Sequence, residues 1–294
     1  MIFAQINKFL YNTYINKKTN KLSRDINVFY PSQASCIDTT TNKPVGECLR
    51  ALYYDITNTP ITNPPSPSNI RKLNYGNIGE EAEINILEEM GILVDKQKSF
   101  ELKIDPIIIK GRVDAIIDLS GLKILEYKTS GGYTFKSEVF GTVKRNGFPK
   151  IKNLMQAMIY IDYFSKLQEN PITECDLMYI DRESLATKEF KVQLSPTGNP
   201  IINDEIYENI STQGIYDRLI SLYNTLKDNK IPDCDYRCCY SLDTATEEFR
   251  NGEIKKYQFE EAKRNGYCKD SNCSFCPYLT KCQIDNNFIN NCEF

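Results

Sequence analysis

Asp114 and Glu126 stand twelve residues apart on neighbouring apolar stretches, and Lys128 follows two positions later. Two carboxylates and an amine at this spacing suit metal-assisted attack on a phosphodiester. Hard oxygen ligands hold Mg²⁺ or Mn²⁺, the metal lowers the pKa of a bound water, and a nearby ammonium steadies the charge that builds on phosphorus. The chain contains no histidine. Mechanisms that need an imidazole base, a histidine zinc ligand or a Ser-His pair are therefore excluded, and metal-activated water stays open.

A second set of residues could do chemistry through sulfur. Eleven cysteines is an odd number and high usage for a chain read as cytoplasmic, where clustered thiols more often bind metal than form crosslinks. Cys268, Cys273, Cys276, Cys282 and Cys292 crowd the end of the chain, with Cys234, Cys238 and Cys239 shortly before. Thiolates serve iron–sulfur clusters and structural Zn²⁺ alike. The spacing of Cys268 to Cys273 and Cys276 is a ligand pattern in its own right, and Cys234 with Cys238 or Cys239 could join a zinc site.

These side chains need elements to hold them. Residues 100–128 alternate like strands, with Ser120-Gly121 marking a turn. Glu126 and Lys128 then share one face. Asp114 joins them if Asp118 pairs with Leu122 around a three-residue loop with Gly121 left-handed; a two-residue loop would set it opposite Tyr127. Gly76 and Gly79 precede a predicted helix ending near Gly91, on which Glu80 shares the apolar stripe of Ile84 and Leu87. A carboxylate there is costly unless paired or bound to a cation, although a place near the helix start would also account for it. Ile151 to Phe164 is almost continuously apolar and reads as a buried helix, with Gln156 and Tyr160 one turn apart. Strands are expected at 177–181 and 189–192, an amphipathic helix over 206–226, a short helix at 48–54, helical spacing at Ile6, Phe9, Leu10 and Tyr14, and irregular chain over 58–69.

At 294 residues, 41% hydrophobic and 26% charged, the composition is that of an ordinary soluble protein. No apolar run suits a membrane span and the start lacks a secretory signal, so no membrane partner is expected. The net charge of −3 argues against a wholesale polyanion binder. Lys136, Lys144, Arg145, Lys150 and Lys152 nevertheless form a basic stretch opposed only by Glu138, placed where phosphate contact is useful.

Taken together, Gly76-x-x-x-Glu80, Gly111-x-x-Asp114, Glu126-x-Lys128 and Gln156-x-x-x-Tyr160 occur in the order and approximate spacing of the PD-(D/E)XK nucleases. The chain resembles most the RecB-like branch. There the position of Glu80 is commonly histidine, and this sequence departs by offering glutamate. The resemblance implies that Asp114, Glu126, Tyr127 and Glu80 bind Mg²⁺ or Mn²⁺, and that Lys128 orients or activates the attacking water. Gln156 and Tyr160, with Lys144, Arg145 and Lys150, then bind DNA. Cys48-x-Arg50 early and Cys273, Cys276 and Cys282 late look like the iron–sulfur staple of AddB-type and CRISPR-associated RecB-like nucleases, which implies a 4Fe-4S cluster on those four cysteines.

The implied fold is α/β, a mixed β-sheet flanked by helices in a restriction-endonuclease-like core, with an iron–sulfur subdomain formed by both termini. The expected division is 1–70, a helical region giving one cluster cysteine; 71–230, the nuclease core; and 231–294, the cysteine-rich region. The implied function is a metal-dependent DNA exonuclease acting on ends or single strands in recombination, repair or replication, beside an unidentified helicase or recombination partner. The alternative is a catalytically silent DNA-binding or assembly subunit that retains fold and cluster, and a zinc-stabilised interaction protein comes third.

Overall fold

The computed structural model describes residues 2–19, 25–132, 135–143 and 145–286; Lys144 and Cys292, singled out above, lie outside them. The chain divides into two compact units. Residues 1–24, 48–70 and 229–294 form one, and 25–47 with 71–228 form the other. The stretch 25–47, which the sequence reading grouped with the N-terminal region, thus lies in the core unit. The first unit opens with α1 (Ile2–Thr19) and α2 (Leu49–Ile56). The spacing of α1 is helical as expected, yet Phe9 remains exposed.

The core unit carries β1 (Val28–Phe29), the hairpin β2 (Ser35–Asp38) and β3 (Lys43–Gly46), and α3 (Pro67–Glu89), of which 71–89 belong to it. Then come β4 (Leu93–Lys96), β5 (Ser99–Ile104), β6 (Ile107–Arg112), β7 (Ala115–Asp118) and β8 (Leu122–Ser130). After the short pair β9 (Gly141–Thr142) and β10 (Arg145–Asn146), α4 (Ile151–Phe164) leads to β11 (Glu174–Asp181) and β12 (Thr187–Leu194). The unit closes with β13 (Pro200–Ile202), β14 (Glu205–Ile206) and α5 (Thr212–Lys227).

Seven strands form a mixed sheet in the order β14-β13-β12-β11-β8-β7-β4. Only β8 and β11 run parallel in it, because α4 supplies the crossover that parallel neighbours need. A separate sheet orders β1-β6-β5. Every residue of α4 from Met158 to Ile161 is buried, as the unbroken apolar run predicts.

Two helix starts differ most from the sequence reading. Helix α3 begins at Pro67, not after Gly79, and carries both glycines inside it. Close approach explains them: a Cβ on Gly79 would lie 2.5 Å from the Tyr127 hydroxyl, and one on Gly76 3.3 Å from Thr129 Oγ1. The glycines let α3 lie directly on β8, which outweighs their weak helix propensity. Helix α5 begins at Thr212, not 206, because Ser211 accepts a cap bond from the Gly214 N–H at 3.1 Å and Ile206 is taken into β14.

In the first unit, α6 (Leu242–Arg250), α7 (Lys256–Asn265) and the strands β15 (Tyr240–Ser241) and β16 (Tyr267–Cys268) share a small core around Tyr240, Ala245, Ile254, Ala262 and Cys268. The short helices α8 (Ser271–Ser274) and α9 (Leu279–Asp285) follow.

Candidate active site and thiolate centre

The β7–β8 hairpin sets the active-site register. Asp118 pairs with Leu122 and Ala115 with Leu125, so the three-residue loop is the one formed, with Ser120 and Gly121 both at positive φ. Asp114, one residue before β7, falls opposite Glu126. Ladder pairing stops there, and the Asp114 carboxylate takes over by accepting the Tyr127 N–H at 2.8 Å. Its own carbonyl accepts from Gln97 N–H at 2.9 Å, which ties the residue to the end of β4.

Gly111 and Tyr160 hold the approach to Asp114. A Cβ on Gly111 would collide with Phe100 and Pro31, so the glycine admits the Phe100 ring, which meets Tyr160 edge-on with centroids 5.6 Å apart. The Tyr160 hydroxyl donates to the Arg112 carbonyl at 3.2 Å and accepts from Gln156 Nε2 at 2.6 Å. Only 2% of Tyr160 is exposed, and both of its hydrogen bonds are made within the protein, where they brace the stretch Arg112-Val113-Asp114. Gln156 is half-buried beside it.

Glu126 is 1% exposed, and Lys128 donates to its Oε1 while no donor among the described residues reaches Oε2. Burial first, and the facing Glu126 second, push the Asp114 carboxyl up to about 7. Burial likewise raises Glu126, and it raises Glu80 with help from Asp114. Burial opposes the Lys128 charge, but Glu126 and Asp114 outweigh it and hold the ammonium above the ordinary lysine range. Glu126 and Asp114 lie close enough to share a proton. Two close carboxyls with an orphaned buried oxygen cost free energy that a cation between them would offset, and oxygen-only donors suit a hard divalent ion. Glu80 faces a cleft of 470 Å³ that also draws on Lys96, Gln97 and Arg112. It is half-buried whereas Glu81 is exposed, as its place on the stripe of Ile84 predicts. Among the described residues the three carboxylates do not converge within 4.8 Å of one another, so Glu80 stands back from the pair.

The basic stretch is less free than it reads. Lys136 pairs with Glu183 at 3.3 Å and Lys152 pairs with Glu47. Arg145 lies in β10. Lys150, the N-cap residue of α4, donates from Nζ to Ser130 Oγ at 2.9 Å. Gln97 and Arg112 were missed by sequence reasoning. Each matters through a strand end, and neither carries a spacing signal.

In the first unit, chain segments far apart in sequence are stitched around sulfur. Cys48 caps α2; the Leu49 N–H donates to Asp235 Oδ2 at 2.7 Å, and Arg50 Nε donates to the Pro232 carbonyl at 2.7 Å. Tyr54 donates to Asp285 Oδ2 at 2.6 Å, and Asn63 Nδ2 donates to the Cys276 carbonyl at 2.9 Å. Burial raises the Cys273 thiol, and nearby Cys48, Cys238 and Cys276 raise it further. Three of the four expected cluster cysteines are thus neighbours. Cys282, the fourth, turns to Cys234, with sulfurs 3.1 Å apart, and it forms with Cys234 and Cys238 a group whose sulfurs all lie within 4.8 Å of one another. Cys268 packs in the core around Tyr240, and Cys175 is buried in β11. Cys239 is disulfide-bonded and offers no thiolate.

No curated protein matches the chain. Among solved structures, that of SSO0001 aligns at 17% identity with a TM-score of 0.41, covering 76% of this chain and 85% of the other. No helix among the described residues is long and apolar enough to cross a membrane. A family model of the PD-(D/E)XK nuclease superfamily matches residues 72–283, which takes in Glu80, Asp114, Glu126, Lys128 and Gln156, and the chain belongs to that superfamily.

Proposed function

We propose that this chain is a divalent-metal-dependent deoxyribonuclease of the RecB-like branch, acting as an exonuclease on DNA ends or single strands in recombination, repair or replication. The observation that carries the reading is the buried Asp114–Glu126–Lys128 constellation, with Glu126 Oε2 lacking any donor. Superfamily members are typically metal-dependent nucleases, and the donor set here fits Mg²⁺ or Mn²⁺.

Asp114 and Glu126 would hold the cation, with Glu80 on the cleft side and Tyr127 at the same strand end. The cation, when bound, supplies Lewis acidity toward water and phosphoryl oxygen. Lys128 pairs with Glu126, and from there its ammonium would orient the attacking water and meet negative charge developing on phosphorus. The Tyr160 bond to the Arg112 carbonyl keeps Asp114 in register with Glu126, and Lys150, with Lys144 and Arg145 of the same basic stretch of sequence, would attract the phosphate backbone. Gln156 lies on the same helix face and would position the strand. Cys48, Cys273, Cys276 and Cys282 would hold a 4Fe-4S cluster, as soft thiolates of suitable number, with a structural role.

The test is incubation with end-labelled single- and double-stranded DNA, linear and circular, in Mg²⁺ or Mn²⁺. Linear DNA should be shortened from its ends while circles survive. Cleavage unchanged in Asp114→Asn, Glu126→Gln and Lys128→Ala would overturn the reading, and nicked circles would replace an exonuclease with an endonuclease.

A further inference from the structure

Six cysteines of the first unit, Cys48, Cys234, Cys238, Cys273, Cys276 and Cys282, come together, two more than one cluster of four iron atoms requires. The pair in excess is Cys234 and Cys238, and it has already drawn Cys282 toward itself, with Cys234 Sγ and Cys282 Sγ 3.1 Å apart. We propose that Cys234, Cys238 and Cys282 form a separate thiolate site for one Zn²⁺-class ion, distinct from Cys48, Cys273 and Cys276 and competing with them for Cys282.

Three observations support a built site. The three sulfurs lie within 4.8 Å of one another; tetrahedral thiolates bound at about 2.3 Å stand somewhat under 4 Å apart, so closing on an ion needs only small movements. Arg50 is 7% exposed, its Nη1 has no hydrogen-bond partner among the described residues, and its guanidinium reaches Cys282. Three thiolates around a dication leave one net negative charge, which the buried guanidinium would balance. Asn286 completes the surround, its Nδ2 lying 3.1 Å from Cys234 Sγ, 4.0 Å from Cys238 Sγ and 3.5 Å from Cys282 Sγ. The same Nδ2 donates to the Cys282 carbonyl at 2.7 Å, which fixes the amide with its N–H groups toward the sulfurs and leaves the fourth coordination position to a water. The loop that carries Cys234 and Cys238 is itself pinned to α2 through the Pro232 carbonyl and the Asp235 carboxylate, so the sulfurs are not free to drift apart.

The site stands apart from the nuclease reading and shares only Cys282 with the cluster reading. Its test uses the full-length chain purified without oxygen, with zinc, iron and acid-labile sulfide measured per chain in the wild type, Cys234→Ser/Cys238→Ser and Cys48→Ser/Cys273→Ser. We expect the first variant to fall to under a tenth of the wild-type zinc with iron and sulfide retained or raised, because Cys282 is then left to the cluster, and the second to keep or gain zinc. Zinc unchanged in Cys234→Ser/Cys238→Ser overturns the site. Loss of iron and sulfide in that variant also overturns it, by making Cys234 and Cys238 cluster ligands. Zinc-edge X-ray absorption of the wild type needs no variant to fold: three sulfur scatterers at about 2.3 Å support the site, and a shell of oxygen and nitrogen alone refutes it. Absent iron with zinc intact would sink the cluster reading and leave this one standing.

Discussion

Replacing Asp114 with asparagine should stabilise the metal-free protein while destroying its activity. The Asp114 carboxyl is raised from 3.8 to about 7, by burial first and by Glu126 second. Between those values the unfolded chain is ionised at this residue while the folded one keeps its proton. The folded state therefore binds more protons, and stability falls as pH rises from about 4 to about 7, with the loss complete above that. A displacement of this size is worth at most about 4 kcal/mol. Partial exposure of Asp114 and the proton it shares with Glu126 reduce the expected gain from Asp114→Asn to about 1–2 kcal/mol at pH 8. At about pH 5 the wild-type carboxyl is protonated and close to isosteric with the amide, so the two proteins should converge. The assay is denaturant unfolding of both proteins in chelator at the two pH values, following the transition of the core unit. Taking the difference between them removes Asp176, which burial raises to about 6 and which titrates in the same window. Added Mg²⁺ should reverse the order: at a hundred times its Kd it stabilises the wild type by about 2.7 kcal/mol and the variant far less. An Asp114→Asn protein that is less stable than wild type in chelator at pH 8, or a gap that does not close on acidification, would refute the reasoning.

Lys128→Ala should lower cleavage by about 10²–10³-fold while the stabilisation by Mg²⁺ persists, and Lys128→Arg should not restore it, because a forked guanidinium does not replace a compact ammonium against Glu126. A salt titration of DNA binding in Ca²⁺ should lose about one unit of slope in Lys150→Ala and none in Lys136→Ala or Lys152→Ala, whose charges Glu183 and Glu47 already hold; equal losses in all three would mean that the ion pairs open on binding. Tyr160→Phe should cost about 1 kcal/mol of stability through the lost bond to the Arg112 carbonyl. It should lower the cleavage rate with DNA affinity in Ca²⁺ unchanged, and weakened affinity would return Tyr160 to the substrate.

The hairpin that aligns Asp114 with Glu126 was legible in the sequence because period-two alternation fixes a face and a turn of given length fixes the register. The helix carrying Gln156 and Tyr160 was legible for the same kind of reason, its unbroken apolar run leaving no other element. What escaped was whatever depends on a neighbour from elsewhere in the chain. Gly76 and Gly79 read as helix-breakers because propensity counts only the local backbone, whereas their use is to let α3 reach Tyr127 and Thr129 on β8. Lys136 and Lys152 read as free charge because their partners lie at Glu183 and Glu47, 47 and 105 residues away.

Tyr160 and Arg50 make a related point about polar residues in apolar surroundings. The resemblance gives Tyr160 to DNA and sets Arg50 two places after an expected cluster cysteine. Tyr160 is spent within the protein, on an amide and a carbonyl that together fix the residue two places before Asp114. Arg50 is only half spent: Pro232 takes its Nε, and Nη1 is left buried without a partner beside a group of sulfurs. A satisfied buried donor explains itself by the structure it holds, whereas an unsatisfied one carries a cost that some further negative charge must offset. The same reasoning applies to Glu126 Oε2 with the sign reversed, where under the proposed function the partner is a cation. Each unit thus carries an uncompensated buried group beside clustered ligand atoms, oxygen in one and sulfur in the other. Hard and soft metals should therefore load the two units independently.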